Sequence, residues 1–140
     1  ELSSLQAQVM RAGLLGNINF LGCMSHDAVK HELTKASVFL LPSIKASNGD
    51  LEGIPVALMD AMAVGLLALS TWHSGIPELI EDGVNGFIAA APLFNALSQT
   101  LERAYRQRDH WEGMGKKAHD VASKQVNPSP EIDLLKELIA

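Results

Sequence analysis

The sequence predicts an α/β domain with a Rossmann-like parallel sheet and helices on both faces, and three observations predict it. Two apolar runs, Val-Phe-Leu-Leu at 38–41 and Leu-Leu-Ala-Leu leading into Ser-Thr at 66–71, have the composition of strands buried on both faces. Stretches of helical periodicity lie between such runs, the alternation that builds a parallel sheet with crossover helices. The chain has 140 residues and is 47 % hydrophobic, so it supports one core-bearing domain at most and is not disordered.

Each element has its own signal. Leu2, Leu5, Val9 and Met10 recur near helical spacing, predicting a helix over 1–12. Residues 17–22 are β-rich and closed by Gly22, predicting a first strand. Ser25 is placed to cap a helix carrying Asp27 and Glu32, whose apolar stripe is Val29, Leu33 and Ala36. The strand at 38–41 stops at Pro42, and a mostly polar loop over 43–50 comes next. A helix is expected at 55–64, a strand at 66–71, a short helix at 78–81 and a strand at 87–89. Asp82-Gly83 and Asn85-Gly86 mark the turns between the last two. Helices over 95–107, 111–124 and 131–139 complete a pattern with four strands. Repeats and low-complexity segments are absent.

Charge and cysteine content exclude several functions. The net charge is −5, and the Lys and Arg are scattered, with most after position 100. Nucleic-acid backbones require clustered cations, so no nucleic-acid partner is expected. Residues 54–69 are the nearest thing to a membrane span, but Asp60 interrupts them and Gly65 ends the helical pattern. No signal-peptide pattern is visible. Cys23 is the only cysteine, which fits a reducing compartment. His26, His31, His73, His110 and His119 have no metal-ligand spacing and no Cys pair beside them, so no metal site is expected.

Ligands of open parallel sheets bind beyond the carboxyl ends of the strands. The loops leaving that edge are 42–54, 71–77 and the turn after Gly22. The first of them runs into Asp-Leu-Glu-Gly-Ile-Pro-Val-Ala-Leu-Met-Asp at 50–60. Gly53 permits a sharp turn, and Pro55 suits a first helical turn because its missing N–H would have no partner there. The first-turn N–H groups around Ile54, Val56 and Ala57, with the positive end of the helix dipole, form an anion site of the kind phosphates use. Glu52 precedes that site in the loop, where a carboxylate can accept from ligand hydroxyls. Asp60 is the sole charged side chain over 55–64, and two readings of it stand. It marks the solvent-facing stripe of a buried helix, or it lines a cleft and accepts from two hydroxyls of one sugar. Glu52 and Asp60 are eight residues apart, about 12 Å if wholly helical. That is too far to share a proton but suits two ends of one extended ligand.

The stretch from Glu52 through Pro55 and Asp60 to Gly65 resembles the E-x7-E motif of retaining GT-B glycosyltransferases of family 4. The resemblance covers roughly 14–90. Phe20-Leu21-Gly22 and Val-Phe-Leu-Leu-Pro-Ser at 38–43 look like the family's strands and turn ahead of the motif. Ser70-Thr71 and Ser74-Gly75-Ile76-Pro77-Glu78-Leu79, continuing to Phe87, look like the family's segments after the motif. Asp50 and the His73-to-Leu79 string are similar to bacterial exopolysaccharide transferases of the colanic-acid type.

The resemblance implies a partial C-terminal domain of a GT-B fold over 1–140 that binds a nucleotide-diphosphate sugar. It implies transfer of the sugar, with retention, to a polysaccharide or lipid-linked acceptor at the cytoplasmic membrane face. Glu52 would touch the transferred sugar near its anomeric carbon. The backbone of Gly53, Ile54, Pro55 and Val56 would meet the diphosphate, Asp60 would hold the ribose, and Ser74 and Gly75 would join in donor binding. No metal or other cofactor would serve; helix N-termini and basic residues would stabilise the leaving group.

Departures from the family pattern are informative. The second acid is usually Glu and here is Asp60, one methylene shorter. Leu67 stands where Pro is common, and Ala91-Pro92-Leu93-Phe94-Asn95 replaces a polar segment. The family's Arg/Lys pair and its acceptor domain belong to regions before these residues, so these residues alone are expected to show little or no transfer. Two rival readings are a non-catalytic nucleotide-sugar-binding module and a structural doubly wound domain with no ligand.

Other residues read plainly. Trp72-His73-Ser74-Gly75-Ile76 lacks the first Gly of a nucleophile elbow, so Ser74 is no hydrolase nucleophile. His73 reads as a loop histidine, with approach to a sugar as the alternative, and Lys45 as solvated, with reach to a phosphate as the alternative. Met59 and Met62 read as core, and Trp111 as packing for the C-terminal helices. Glu78 suits either a helix dipole or the donor loop. Arg103, Arg106, Arg108, Lys116 and Lys117 read as a solvated face, with peripheral membrane contact as the alternative.

Overall fold

The computed structural model describes residues 1–43, 54–90 and 94–126. Among them are helices α1 (Leu2–Arg11), α2 (His26–Lys35), α3 (Val56–Ala63), α4 (Ile76–Leu79), α5 (Phe94–Arg106) and α6 (Trp111–Val126). Strands β1 (Val38–Leu41), β2 (Leu67–Thr71) and β3 (Gly86–Ala89) are interspersed with them, and a 3-10 turn, Arg108–His110, joins α5 to α6. The three strands lie in the order β1-β2-β3, all parallel, with Val38 opposite Leu67 and Ala68 opposite Gly86.

The central strand β2 is buried at every position. Strand alternation sends its side chains to two separate cores. Ala68 and Ile88 face Leu58 and Met62 of α3, Ile76 and Leu79 of α4, and Ala118 and Ala122 of α6. Leu67, Leu69 and Phe87 face Ala104 of α5 and Met114 at the start of α6. Helices therefore cover both faces of β2 and β3, but β1 is not buried on both faces as its apolar run predicted. Val38, Phe39 and Leu41 are half-buried and Leu40 is exposed, because β1 is an edge of the described sheet. Leu33 of α2 closes the end of the sheet with Ala61, Leu66 and Phe39.

Local signals explain the boundaries. Ser25 caps α2, its Oγ accepting from the Ala28 N–H at 3.2 Å. Helix α3 ends in a Schellman motif. The Gly65 N–H donates to the Met62 carbonyl and the Leu66 N–H to the Ala61 carbonyl, with Gly65 at φ +83°. The accompanying apolar contact is Leu66 on Ala61. Gly65 then meets α6 at Gly115 so closely that a Cβ on Gly115 would lie 2.1 Å from the Gly65 carbonyl oxygen. Beside it, His119 Nδ1 lies 2.6 Å from the Ala63 carbonyl, one of the α3 carbonyls that has no partner within the helix.

Three further expectations need correction. Residues 17–22 form turn and coil, mostly exposed, so the described strands number three rather than four. A strand needs a ladder partner, and the described strand pairings, β1 with β2 and β2 with β3, do not include this segment. Pro55 is the N-cap of α3, not its first helical residue. Its extended ψ of 128° aims its carbonyl at the Leu58 and Met59 N–H groups, at 3.1 and 3.3 Å. The short helix expected at 78–81 is shifted to Ile76–Leu79. The buried Asn85 side chain ends it, donating from Nδ2 to the Leu79 carbonyl and accepting the Glu81 N–H at Oδ1. The helix expected over 131–139 and most of the loop over 43–50 lie outside the described residues.

Candidate functional site at the carboxyl edge of the sheet

All three strands end on one edge, and the parallel crossovers begin α3 and α4 there. Two hydroxyls at the end of β2 fasten that edge. Ser70 Oγ donates to the Leu41 carbonyl at 2.7 Å, and Thr71 Oγ1 donates to the Ser43 carbonyl. Both hydroxyl side chains are buried. Burial without these partners would be unfavourable by roughly 1–3 kcal/mol each, so the bonds fix the exit of β1 against β2. The Trp72 N–H donates to the Ala89 carbonyl at 2.9 Å, fastening β2 to β3 in the same way.

The start of α3 stands among these strand ends. The Val56 and Ala57 N–H groups precede the helix's own first hydrogen bonds, so the helix gives them no acceptor. Val56 and Ala57 are exposed, and among the described residues no side chain caps the end at Pro55. Leu58, Ala61 and Met62 face the core. Asp60 is half-buried on the opposite side, on the stripe that carries Val56, Ala57, Ala63 and Val64. It lies about 6 Å along the axis from Val56, at the rise of a regular helix. The two readings of Asp60 thus share one geometry: the outward stripe of α3 starts at the N-terminal end of the helix.

The loop after β2 reaches the same place. Ser74 is the one non-glycine among the described residues with positive φ, +47°, a conformation that functional loops retain at some energetic cost. Gly75 caps α4 and lies against Ile54: a Cβ added to Gly75 would sit 2.8 Å from Ile54 Cγ1. Of the predicted site residues, Ile54, Pro55, Val56, Ser74 and Gly75 converge here, with Asp60 one turn away. Glu52 and Gly53 lie outside the described residues, as does Lys45. Glu78 is exposed in the first turn of α4, and His73 is half-buried with its carbonyl accepting the Ile76 N–H.

Sequence reading did not assign the Ser70 and Thr71 fastenings or the Ile54–Gly75 contact. The hydroxyl pair ending an otherwise apolar strand was the available signal for the first; the second has none. Asp82 also escaped notice beyond its turn signal. Its carboxylate accepts both guanidinium nitrogens of Arg103, at 2.6 and 2.8 Å, and the Ile88 N–H at 2.9 Å. Burial pushes this carboxyl up, but the Arg103 hydrogen bonds, the Ile88 N–H and the Arg103 charge outweigh it and hold it below the usual carboxylate range. Arg103 also lies over the Phe87 ring. This cluster braces α5 on β3 and takes no part in the edge site.

Among the described residues no helix is long and apolar enough to cross a membrane.

Comparison with known proteins places this geometry. The family model described as "Glycosyl transferases group 1" matches residues 1–121. The amylovoran biosynthesis glycosyltransferase AmsK of Erwinia amylovora is 47 % identical over 103 residues, 71 % of this chain and 25 % of AmsK. The putative colanic acid biosynthesis glycosyltransferase WcaL of Escherichia coli is 53 % identical over 85 residues, 61 % of this chain and 20 % of WcaL. The chain thus spans about a quarter of the length of these curated relatives. Among solved structures, Anabaena HepE in complex with UDP and glucose superposes with a TM-score of 0.77 at 20 % identity, over 99 % of this chain and 36 % of HepE. The C-terminal domain of the group 1 protein LpcC from Francisella tularensis superposes at 0.74 and 20 % identity, over 87 % of this chain and 60 % of that one. The fold is that of a GT-B C-terminal domain, and by the match over residues 1–121 the chain belongs to the group 1 glycosyl transferases.

Proposed function

We propose that residues 1–140 are the donor-binding portion of a retaining, family 4 glycosyltransferase that takes a nucleotide-diphosphate sugar. The observation that carries this reading is the start of α3: two first-turn N–H groups beside the 72–75 loop, in a chain matched by the family over 1–121. A helix N-terminus is worth most to a dianionic leaving group as negative charge develops on it. In the proposed arrangement the Val56 and Ala57 N–H groups, with the 74–75 backbone, receive the diphosphate. Asp60, on the stripe leading away from that end, accepts from the ribose hydroxyls. Glu52 lies before the helix and contacts the transferred sugar. The leaving phosphate is stabilised by these dipoles and by cations outside the chain, with no metal.

The relatives' names, amylovoran and colanic acid biosynthesis, support exopolysaccharide assembly as the process; a glycan or lipid-linked acceptor at the cytoplasmic face of a membrane is the further part of the proposal. The acceptor domain belongs to the remaining length of such an enzyme. Replacement of the family's Glu by Asp60 favours one second reading, a module that binds nucleotide sugar without transferring it.

Calorimetric titration with UDP, GDP and their glucose and mannose conjugates tests the proposal. Saturable binding of one nucleotide, tightened by its sugar, is expected. No binding of any of them refutes donor binding. Binding by a longer protein that turns over no acceptor selects the second reading.

A further inference from the structure

We infer that Ile54 is a positioning residue, a wedge that sets the distance between the 72–75 loop and the first turn of α3. Ile54 packs on the core formed by Leu58, Met62, Ala68 and Ile76. On its other side it meets Gly75 with no room for a methyl group. An added Cβ there would lie 2.8 Å from Ile54 Cγ1, 3.7 Å from its Cδ1 and 3.7 Å from its backbone nitrogen. The Ile54 side chain therefore fills the space between the two segments, in contact with the Gly75 backbone. Ile54 is followed by Pro55, whose ring fixes φ at −62°, and then by the helix. A push on Ile54 is passed to the Val56 and Ala57 N–H groups with no freely rotating φ at Pro55 to absorb it. The loop side is equally fixed. Ser74 holds a positive φ, Gly75 is the N-cap of α4, and Ile76 is fully buried. Two backbone segments of the proposed phosphate site thus share a spacer, the Ile54 side chain, which carries no polar group.

The consequence for ligand binding rests on the donor-site proposal; the mechanical coupling does not, and the experiment separates them. In the full chain, Gly75→Ala, Ile54→Ala and the double variant are compared with wild type by amide NMR and by calorimetry with UDP. Gly75→Ala shifts the amides of residues 56–59, some twenty positions away in sequence, and weakens UDP about tenfold, a coupling of ordinary size for touching residues. In the double variant, loss of Cγ1 makes room for the new methyl. The amides return and UDP affinity recovers to within about threefold of wild type. Adding Ile54→Val instead gives no recovery, because valine keeps a carbon at the Cγ1 position.

Shifts confined to residues 72–80, or a double variant as perturbed as Gly75→Ala, would overturn the inference. If wild type binds none of UDP, GDP and their glucose and mannose conjugates, the donor-site proposal fails while the amide comparison still decides the wedge; if it binds GDP instead, GDP takes the place of UDP in the titrations. If Gly75→Ala does not fold, Ile54→Ala alone decides it, by moving or not moving the amides of residues 73–76.

Discussion

Helix α6 holds two glycines two residues apart, and the structure predicts opposite outcomes for replacing them with alanine. Alanine in a helix interior is favoured over glycine by roughly 0.5–1 kcal/mol. At Gly113 a Cβ would meet nothing within 4 Å, so Gly113→Ala should gain most of that amount. At Gly115 the Cβ would lie 2.1 Å from the Gly65 carbonyl oxygen and 3.1 Å from its carbon. Ordinary carbon–oxygen contact begins near about 3.3 Å, so α6 and the turn after α3 must separate by about 1 Å. Both sides of this contact are backbone, which has no rotamer to escape into. Overpacking of this kind costs typically about 1–3 kcal/mol. With the helix gain subtracted, Gly115→Ala should lose up to about 2 kcal/mol, and because both variants share that gain they should differ by the overpacking cost, about 1–3 kcal/mol. Urea unfolding followed by tryptophan fluorescence measures this. Trp111 is half-buried and donates to the Ala104 carbonyl at 2.9 Å, so its emission reports the transition. Two variants that move stability in the same direction by similar amounts would refute the close-approach argument.

Three further outcomes are expected. Gly65→Ala should lose about 1 kcal/mol for backbone reasons alone, since its Cβ would meet only the Gly115 oxygen, at an unstrained 3.8 Å; calorimetric unfolding checks it, and an unchanged midpoint contradicts the Schellman assignment. The carboxyl of Asp82 titrates lower in the folded chain than unfolded, so its contribution is present above the ordinary carboxylate range and is lost as pH falls through the folded-state value. Asp82→Asn should therefore be less stable than wild type at pH 7, by up to about 1 kcal/mol for so exposed a pair, and the gap should close on acidification; a gap that is constant with pH counts against the charge argument. Asp60→Ala should weaken UDP by about tenfold or more, while Asp60→Glu, restoring the family's usual acid, should bind UDP at least as well as wild type. Equal affinity of all three would remove Asp60 from the ribose site.

The sheet was legible because the runs at 38–41 and 66–71 contain no polar interruption before their ends; the inference of burial on both faces holds for β2 and not for the edge strand β1, whose Leu40 is exposed. The same reasoning failed at 17–22. β-propensity describes what suits a pleated surface, and it does not say whether a neighbouring strand is there to pair. The site was legible in part. Pro55 and Asp60 announced a helix start and a lone acid, and both lie where the edge rule sends a ligand. What remained hidden depends on contacts between distant segments: Ser70 with Leu41, Ile54 with Gly75, Gly65 with Gly115, and Asp82 with Arg103. None obeys a sequence period, and three of the four involve a backbone atom, which carries no residue-specific signature. Asp82-Gly83 illustrates the limit. Its turn was readable, but the acid's service to the Ile88 N–H was not.

The C-terminal end of α3 is pinned, by the Gly65–Gly115 approach and by His119 at the Ala63 carbonyl. With that end fixed, any residual motion of the helix is rotation about a pivot. Eight residues make a lever of about 12 Å, so a tilt of only about 5° carries the opposite tip through about 1 Å. A displacement of that size at a reacting centre can change a rate by about a hundredfold. Leverage of this kind makes the far side of the domain, where α6 crosses the turn, a place from which substitutions would tune the proposed phosphate end without approaching any ligand.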